Sequence, residues 1–238
     1  MSIRVISWIV VIWERDDPRT HTKQHETHTF DMTLVKICGI TNLDDALMSV
    51  EAGADALGFN FYRPSPRFIE PEAVREIVSQ LPADTLTVGV FVNEETPEVV
   101  ENIASESGVA ALQLHGDESP DYCRRFPERY VIKVFRVDHD FDPVQIQNYN
   151  VNAVMLDAFD RNLRGGTGRT VDWSLARETR ELGIRLFLAG GLSHTNVSEA
   201  ITAVKPYAVD ACSALEDSPG KKTPELVFAF VKAVRAAS

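Results

Sequence analysis

A carboxylate and a thiol at the ends of two apolar segments are the residues of this sequence best suited to do chemistry. Asp157 follows the predicted strand 151–156 and precedes a glycine-rich loop at 165–168. A carboxyl group there has few structural tasks apart from capping a helix, so we expect it to be functional. Cys38 ends the predicted strand 34–37, just before a predicted helix. A thiol near a helix N-terminus can have a lowered pKa and act as a base, although most free cysteines are small buried hydrophobes.

Three cationic or titratable residues lie in or next to other predicted strands. Arg67 lies in a proline-rich loop, where its guanidinium is either solvated or a bidentate partner for a carboxylate. His115 follows a strand, and a histidine there is as often a hydrogen-bonded structural group as a catalyst. Lys133 lies inside a strand, and we interpret it as a charge in the interior or at the rim rather than a Schiff-base nucleophile.

The elements that must position these residues alternate regularly from Met32 onward. Apolar, β-branched segments are separated by amphipathic ones with helix signals, such as an N-cap at Asn42 and prolines in the first turns at Pro71, Pro97 and Pro224. The predicted strands cover residues 34–37, 56–61, 85–92, 110–114, 130–135, 151–156, 185–188 and 208–211.

Eight such units predict an α/β protein, a single (β/α)8 TIM barrel over residues 32–238. A doubly wound sheet would normally have five or six strands and a fingerprint glycine loop after the first strand, which residues 38–42 are not. In a barrel the active site lies at the C-terminal ends of the strands. Barrels of the phosphate-binding type bind their anion at the loops after the seventh and eighth strands. Residues 189–192 contain two glycines, which allow the backbone to come close to an anion.

Composition restricts the partners and the compartment. The chain of 238 residues has 35 acidic and 24 basic residues and a net charge of −11, which argues against nucleic acid or an anionic membrane as a partner. The acidic excess with few lysines fits a salt-adapted protein as well as an ordinary acidic enzyme. Three cysteines form neither a disulfide framework nor a paired metal motif, so we predict a reducing, cytoplasmic environment. Cys123 and Cys212 are expected to be core or helix residues.

The first 31 residues do not match the rest of the chain. Residues 5–13 are apolar, but nine residues are too few to span a bilayer, which needs about 20. No small-residue cleavage site follows them. We predict that residues 1–31 are an extension outside the core, either disordered or the result of an upstream start site, with Met32 as the working start.

Several blocks between Val35 and about Val231 resemble the phosphoribosylanthranilate isomerases of tryptophan biosynthesis. The matching blocks are Lys-Ile-Cys-Gly-Ile-Thr at 36–41, Gly-Phe at 58–59, Ser-Pro-Arg at 65–67, Val-Gly-Val-Phe-Val-Asn at 88–93, Gln-Leu-His-Gly at 113–116, Leu-Asp at 156–157 with Gly-Gly-Thr-Gly at 165–168, Leu-Ala-Gly-Gly-Leu at 188–192, and residues 210–220. The resemblance implies a (β/α)8 enzyme without metal or other cofactor. Its partner would be a small phosphosugar, N-(5-phosphoribosyl)anthranilate, which undergoes an Amadori rearrangement to the 1-deoxyribulose isomer.

The resemblance also implies roles for individual residues. Cys38 resembles the general base and Asp157 the general acid, and Arg67 would bind the anthranilate carboxylate. The remaining substrate pocket would include Gln113, His115, Gly166 and Asp210, and the phosphate would be bound by Gly190, Gly191, Ser213 and Ala214. The chain departs from the family pattern at Ala214, where glycine is usual, and at Thr223, where an aspartate is common.

Other functions remain open from the sequence. An isomerase of the analogous histidine-pathway aminoaldose would more naturally use two aspartates than Cys38 with Asp157. A metal-dependent phosphosugar epimerase would need histidine and aspartate clusters at strand ends, where only His115 qualifies. A barrel without activity could bind a phosphorylated ligand as a sensor. The chain is expected to be a monomer or a homodimer.

Overall fold

The computed structural model describes residues 32–137, 140–158 and 172–238. The predicted extension 1–31 and the glycine-rich loop with Gly166 lie outside the described residues. The boundary at Met32 therefore stays a prediction.

Eight parallel strands form a closed barrel in which each strand pairs with the next and β8 pairs with β1. The strands are β1 Leu34–Cys38, β2 Ala56–Asn60, β3 Leu86–Phe91, β4 Ala111–Leu114, β5 Tyr130–Val137, β6 Ala153–Ala158, β7 Arg185–Leu188 and β8 Ala208–Ala211. Strands of a barrel are covered on both faces, which is why they read as nearly continuous apolar segments. The predicted (β/α)8 barrel is confirmed.

Helices cover the outside of the barrel. They are α1 Leu43–Glu51, α2 Pro71–Val78, α3 Pro97–Ser107, α4 Pro120–Cys123, α5 Trp173–Glu181, α6 Val197–Val204 and α7 Pro224–Ala237, with 3-10 helices at Pro143–Asn148 and Ser213–Leu215. An antiparallel hairpin of β9 Glu216–Ser218 and β10 Lys221–Lys222 lies between β8 and α7. In the described part of the chain, no helix is long and apolar enough to cross a membrane.

The predicted start and end signals match the observed helices. The side chain of Asn42 accepts a hydrogen bond from the Asp45 N–H at 2.8 Å and begins α1. Prolines occupy the first turns of α2, α3 and α7. Gly108 ends α3 with a left-handed φ of 75°, a conformation that glycine adopts without strain.

The ends of β6 differ from the prediction. The strand begins at Ala153 because the Asn152 side chain accepts a hydrogen bond from the Val131 N–H at 2.8 Å, in place of a strand partner. It continues through Asp157, which pairs with Arg136 of β5. Asp157 is therefore part of the strand and not the first residue of the loop.

The barrel interior is apolar in one layer and polar in the next. The apolar layer includes Ala111, Met155 and Ala208, which are buried against one another with other small and aromatic side chains. Side chains alternate in direction along a strand, so residues two positions further on face the same interior. Those residues are Gln113, Asp157 and Asp210, all of them buried and polar.

Candidate active site

The polar layer at the C-terminal ends of the strands contains both residues predicted to do acid–base chemistry. Cys38 is the last residue of β1, and Asp157 is the next-to-last residue of β6. Both belong to the inward-facing series of their strands, Cys38 two residues after Lys36 and Asp157 two after Met155. The barrel thus brings a thiol and a carboxyl group from two well-separated strands to the same end of its interior, where the charges of both act on Asp210.

A glycine on the neighbouring strand makes room for the Cys38 thiol. Gly58 is the strand partner of Cys38 across β1 and β2. A Cβ at Gly58 would lie 2.7 Å from Cys38 Sγ, closer than real Cβ atoms come to a neighbour, and 3.0 Å from Lys36 Nζ, which is tighter than most real contacts. The Gly-Phe block at 58–59 is therefore required by the site, because any side chain at residue 58 would displace the thiol.

On its other side Cys38 meets a second cysteine. Ile37 of β1 is the strand partner of Ala211 of β8, and Cys212 is the residue after Ala211. The interaction of the two thiols lowers the pKa of Cys38 and raises that of Cys212, so Cys212 is the one that keeps its proton. Cys212 Sγ also lies 3.8 Å from Glu216 Oε1. The prediction that Cys212 is a core or helix residue is wrong, because barrel closure places it beside β1.

Two lysines also favour the thiolate form of Cys38. Burial opposes ionisation, but the charges of Lys36 and Lys222 act with the Cys212 hydrogen bond, and the pKa of Cys38 falls well below its ordinary value. A cysteine with such neighbours is a thiolate at lower pH than an ordinary cysteine. This is the property that a base needs near neutral pH.

Asp210 holds one of these lysines in place. Lys36 Nζ lies 2.6 Å from Asp210 Oδ1, and the lysine side chain is fully buried. Burial opposes the lysine charge, but Asp210 and Cys38 together raise the pKa of Lys36. Burial raises the pKa of Asp210 to about 6, and the charges of Cys38 and Asp157 add to this effect. Asp210 is thus near both catalytic candidates, and its direct contact is with Lys36.

Gln113 and His115 form a line of contacts that ends at Asp157. Gln113 Nε2 lies 3.0 Å from His115 Nδ1, and His115 Nε2 lies 3.3 Å from Asp157 Oδ2. If the amide donates to Nδ1, the proton of a neutral imidazole is on Nε2 and faces the carboxyl group. The predicted pocket residues of β4 are therefore brought together with the acid candidate on β6.

The guanidinium of Arg67 lies beside the cysteines, held by a carboxylate of the same chain. Its Nε and Nη2 donate to Glu216 Oε2 at 2.9 and 2.6 Å, and its aliphatic part packs against Gly39. Burial opposes the charge of Arg67, whereas Glu216 raises its pKa. To the described residues, Nη1 makes no hydrogen bond. The guanidinium is thus a bidentate partner of Glu216, a carboxylate of the same chain, and its binding of the anthranilate carboxylate stays a prediction.

Glu216 also binds Lys222, and the sequence analysis assigned no role to either residue. Lys222 Nζ lies 2.8 Å from Glu216 Oε1 and 3.9 Å from Cys212 Sγ, and both charged side chains are almost fully buried. Burial opposes ionisation of Glu216, but Arg67 and Lys222 lower its pKa. Glu216 lies within the matching block 210–220, which is the signal that could have found it. No local pattern points to Lys222, which the β9–β10 hairpin brings back over β8.

The loops after β7 and β8, where the sequence predicts phosphate binding, differ in backbone conformation. Gly190 and Gly191 have left-handed φ values of 82° and 64°. The side chain of Asn196 braces this loop by donating to the Gly191 carbonyl at 3.0 Å. Ser213 begins a 3-10 helix, and Ala214 within it has no left-handed φ, so its methyl group causes no backbone strain.

Two buried residues between the barrel and its helices are structural. Lys133 forms a buried ion pair with Glu118 at 2.9 Å and donates to the Gly116 carbonyl at 2.8 Å. Lys133 is a structural charge, as interpreted, but it faces the helices as its strand partners Leu114 and Val154 do, so its expected place in the barrel interior or at the rim is wrong. Its contacts support the loop after β4 that begins at His115. Cys123 is buried at the end of α4, as predicted.

Comparisons with known proteins agree with this geometry. Residues 35–233 match the family model described as N-(5'phosphoribosyl)anthranilate (PRA) isomerase. The N-(5'-phosphoribosyl)anthranilate isomerase of Trichlorobacter lovleyi is 48% identical over 208 residues, which are 87% of this chain and 100% of that protein.

Two solved structures show the same fold. The phosphoribosyl anthranilate isomerase of Thermus thermophilus has a TM-score of 0.80 at 35% identity, over 87% of this chain and 100% of that one. A phosphoribosyl anthranilate isomerase in complex with reduced 1-(o-carboxyphenylamino)-1-deoxyribulose 5-phosphate has a TM-score of 0.78 at 44% identity, over 86% and 100% of the two chains. The residues matched by the family model and the sequence identity to these relatives show that the chain belongs to the N-(5'-phosphoribosyl)anthranilate isomerase family.

Proposed function

We propose that this protein isomerises N-(5'-phosphoribosyl)anthranilate to 1-(2-carboxyphenylamino)-1-deoxy-D-ribulose 5-phosphate, the Amadori rearrangement of tryptophan biosynthesis. Family membership over 35–233 and the product-like ligand of a 44% identical relative support the reaction. The observation that carries the proposal is that the thiol of Cys38 and the carboxyl group of Asp157 lie at the same end of the barrel interior, near Asp210. They would provide the base and the acid that the rearrangement requires.

In the first step, Asp157 would protonate the furanose ring oxygen. The C1–O bond breaks, and the lone pair of the substrate nitrogen forms a protonated imine at C1. Contacts from Gln113 through His115 orient the carboxyl group for this step. The substrate's own nitrogen accepts the electrons, so the chemistry requires no added electron sink.

In the second step, the Cys38 thiolate would remove the proton from C2, which the adjacent cationic imine has made acidic. The resulting enolamine becomes the ketone by protonation at C1. Lys36, Lys222 and the Cys212 hydrogen bond favour the thiolate before the transfer. The same residues would hold the sulfur in place afterwards, when it carries the proton.

The substrate's two negatively charged groups would bind at opposite ends of the site. Arg67 would bind the anthranilate carboxylate through Nη1 while Glu216 fixes the other side of the guanidinium. The phosphate would accept hydrogen bonds from the backbone at Gly190, Gly191, Ser213 and Ala214. Gly166, outside the described residues, stays a predicted pocket residue on sequence grounds alone.

The test is the loss of anthranilate-type fluorescence from substrate generated in situ by the purified protein. The assay is run at low and at molar KCl, because the acidic composition fits a salt-adapted protein. Turnover in either buffer is expected. Absence of turnover in both, from protein shown to be folded by circular dichroism, would contradict the proposal. The state as monomer or homodimer and the cytoplasmic location stay predictions.

A further inference from the structure

The pair of thiols at the mouth of the barrel is suited to a second reaction. We propose that Cys38 and Cys212 form a reversible disulfide when the protein meets a hydroperoxide. Cross-linking would remove the thiolate and so switch the site off, a consequence that rests on the proposed role of Cys38 as base. The disulfide itself does not depend on that role.

Strand register puts the two cysteines within reach of each other. Lys36 pairs with Asp210 and Ile37 with Ala211, so Cys212, the first residue after β8, follows in the position opposite Cys38. Neighbouring strands lie about 4.8 Å apart, and disulfides usually join Cα atoms about 4.4 to 6.8 Å apart. Both side chains belong to the inward-facing series of their strands, which brings the thiols into contact. A bond therefore requires side-chain rotation and little backbone movement.

The surroundings of the two thiols favour oxidation there and not at the third cysteine. Cys38 and Cys212 are both partly exposed, so a small oxidant can reach them. The charges of Lys36 and Lys222 favour the thiolate form of Cys38, which is the form that reacts with peroxides. Cys123 is buried at 2% exposure, and burial raises its pKa to about 11. It is therefore both inaccessible and protonated.

The reaction balances with hydrogen peroxide as the oxidant. The Cys38 thiolate attacks one peroxide oxygen, the O–O bond breaks, and Cys38 becomes a sulfenic acid while the departing hydroxide takes up a proton. The Cys212 sulfur then attacks the sulfenic sulfur, the S–O bond breaks, and the leaving hydroxide takes the Cys212 proton. The two thiols lose two electrons in total, and the peroxide is reduced to two waters.

The experiment treats the full chain with hydrogen peroxide, blocks remaining thiols with an alkylating agent, and maps peptides without reduction. The expected result is a linked Cys38–Cys212 peptide and an intact mass lower by two hydrogen atoms. Isomerase activity should fall in proportion to the linked fraction, and dithiothreitol should restore both. A Cys123→Ser variant is the control and should behave as the unmodified chain does.

A Cys212→Ser variant separates this route from simple oxidation of the base. Without a resolving thiol, the Cys38 sulfenic acid proceeds to sulfinic acid, which dithiothreitol does not reduce. Its activity, measured against its own untreated rate, should therefore be lost without recovery.

A folded, active protein that yields no linked peptide, or a Cys212→Ser variant that recovers as fully as the unmodified chain, would overturn the inference. A linked peptide in protein that shows no turnover would uphold the disulfide and count against the proposed function instead.

Discussion

The carboxylate of Glu216 holds the guanidinium of Arg67 from a position 149 residues further along the chain, with Arg67 Nη2 2.6 Å from Glu216 Oε2. The same carboxylate binds Lys222 at 2.8 Å. One buried anion therefore positions two cations of the site, and the thiols lie next to both.

Replacing Glu216 by glutamine should destabilise the fold. Arg67 and Lys222 would keep buried charges without a partner, which costs about 3 kcal/mol of unfolding free energy. Urea denaturation would measure the change. Glu70→Gln is the matched control, because the Arg63–Glu70 pair is exposed and worth about 0 to 1 kcal/mol. Equal losses of unfolding free energy in the two variants would show that the buried Glu216 pairs stabilise the fold no more than an exposed ion pair does.

Removing either proposed acid–base group should abolish turnover without unfolding the protein. Cys38→Ala and Asp157→Asn should each lower kcat by about 100- to 10,000-fold, the usual contribution of a positioned acid or base. Steady-state kinetics with circular dichroism as a check on folding would test this. Cys123→Ala, at the end of α4 away from the site, should retain its kcat. Near-normal rates in either of the first two variants would remove that residue from the mechanism.

The pH dependence of Cys38 alkylation should reveal its lowered pKa. The thiolate is the reactive form, so the alkylation rate is high above the pKa and falls as the pH drops through it. The midpoint should lie below the ordinary thiol value of about 8.5. Cys212→Ala, which removes the donated hydrogen bond, should shift the midpoint to higher pH. Peptide-resolved iodoacetamide labelling measures both, and a midpoint at or above the ordinary value would refute the assignment of a stabilised thiolate.

Shortening Arg67 should weaken substrate binding more than chemistry. Arg67→Ala removes a charge-assisted hydrogen bond worth about 1.5 to 3 kcal/mol, which corresponds to a rise in KM of about 10- to 100-fold. Glu216 would retain Lys222 as a partner, so the fold should persist. Arg63→Ala, an exposed arginine in the same loop, is the control and should keep its KM. An unchanged KM in Arg67→Ala would argue against a carboxylate-binding role.

Alanine substitutions at two strand glycines separate the effect of displacing the Cys38 thiol from the effect of disturbing core packing. Gly58→Ala would place a methyl carbon 2.7 Å from Cys38 Sγ and should lower kcat by up to about 100-fold, the cost of a small misplacement. Gly89→Ala would press instead on the rings of Phe61 and Phe91 and should cost about 1 to 3 kcal/mol of stability with kcat retained. Kinetics and thermal unfolding of both variants would distinguish the effects. The idea fails if Gly58→Ala turns over normally.

The architecture could be predicted from the sequence, and so could the strand ends that carry the two proposed reacting groups. Apolar segments alternate with capped amphipathic ones because each strand of a barrel is buried on both faces and each helix on one. The apolar segments place Cys38 and Asp157 at the ends of strands before any pairing is known. Side chains alternate between the two faces of a strand, so the face of each residue follows from its position. Strand ends were less predictable, as in β6, because pairing with β5 extends that strand through Asp157.

The neighbours of the two proposed reacting groups depend on the tertiary structure and could not be predicted from local sequence patterns. Cys212 became a neighbour of Cys38 because the barrel closes β8 against β1, a contact between residues far apart in the chain. Glu216 joined Arg67 to Lys222 because the β9–β10 hairpin folds back over the barrel mouth. Local patterns encode burial and direction along one element. Partners in a cluster depend on which elements become neighbours, and that is set by packing of the whole chain.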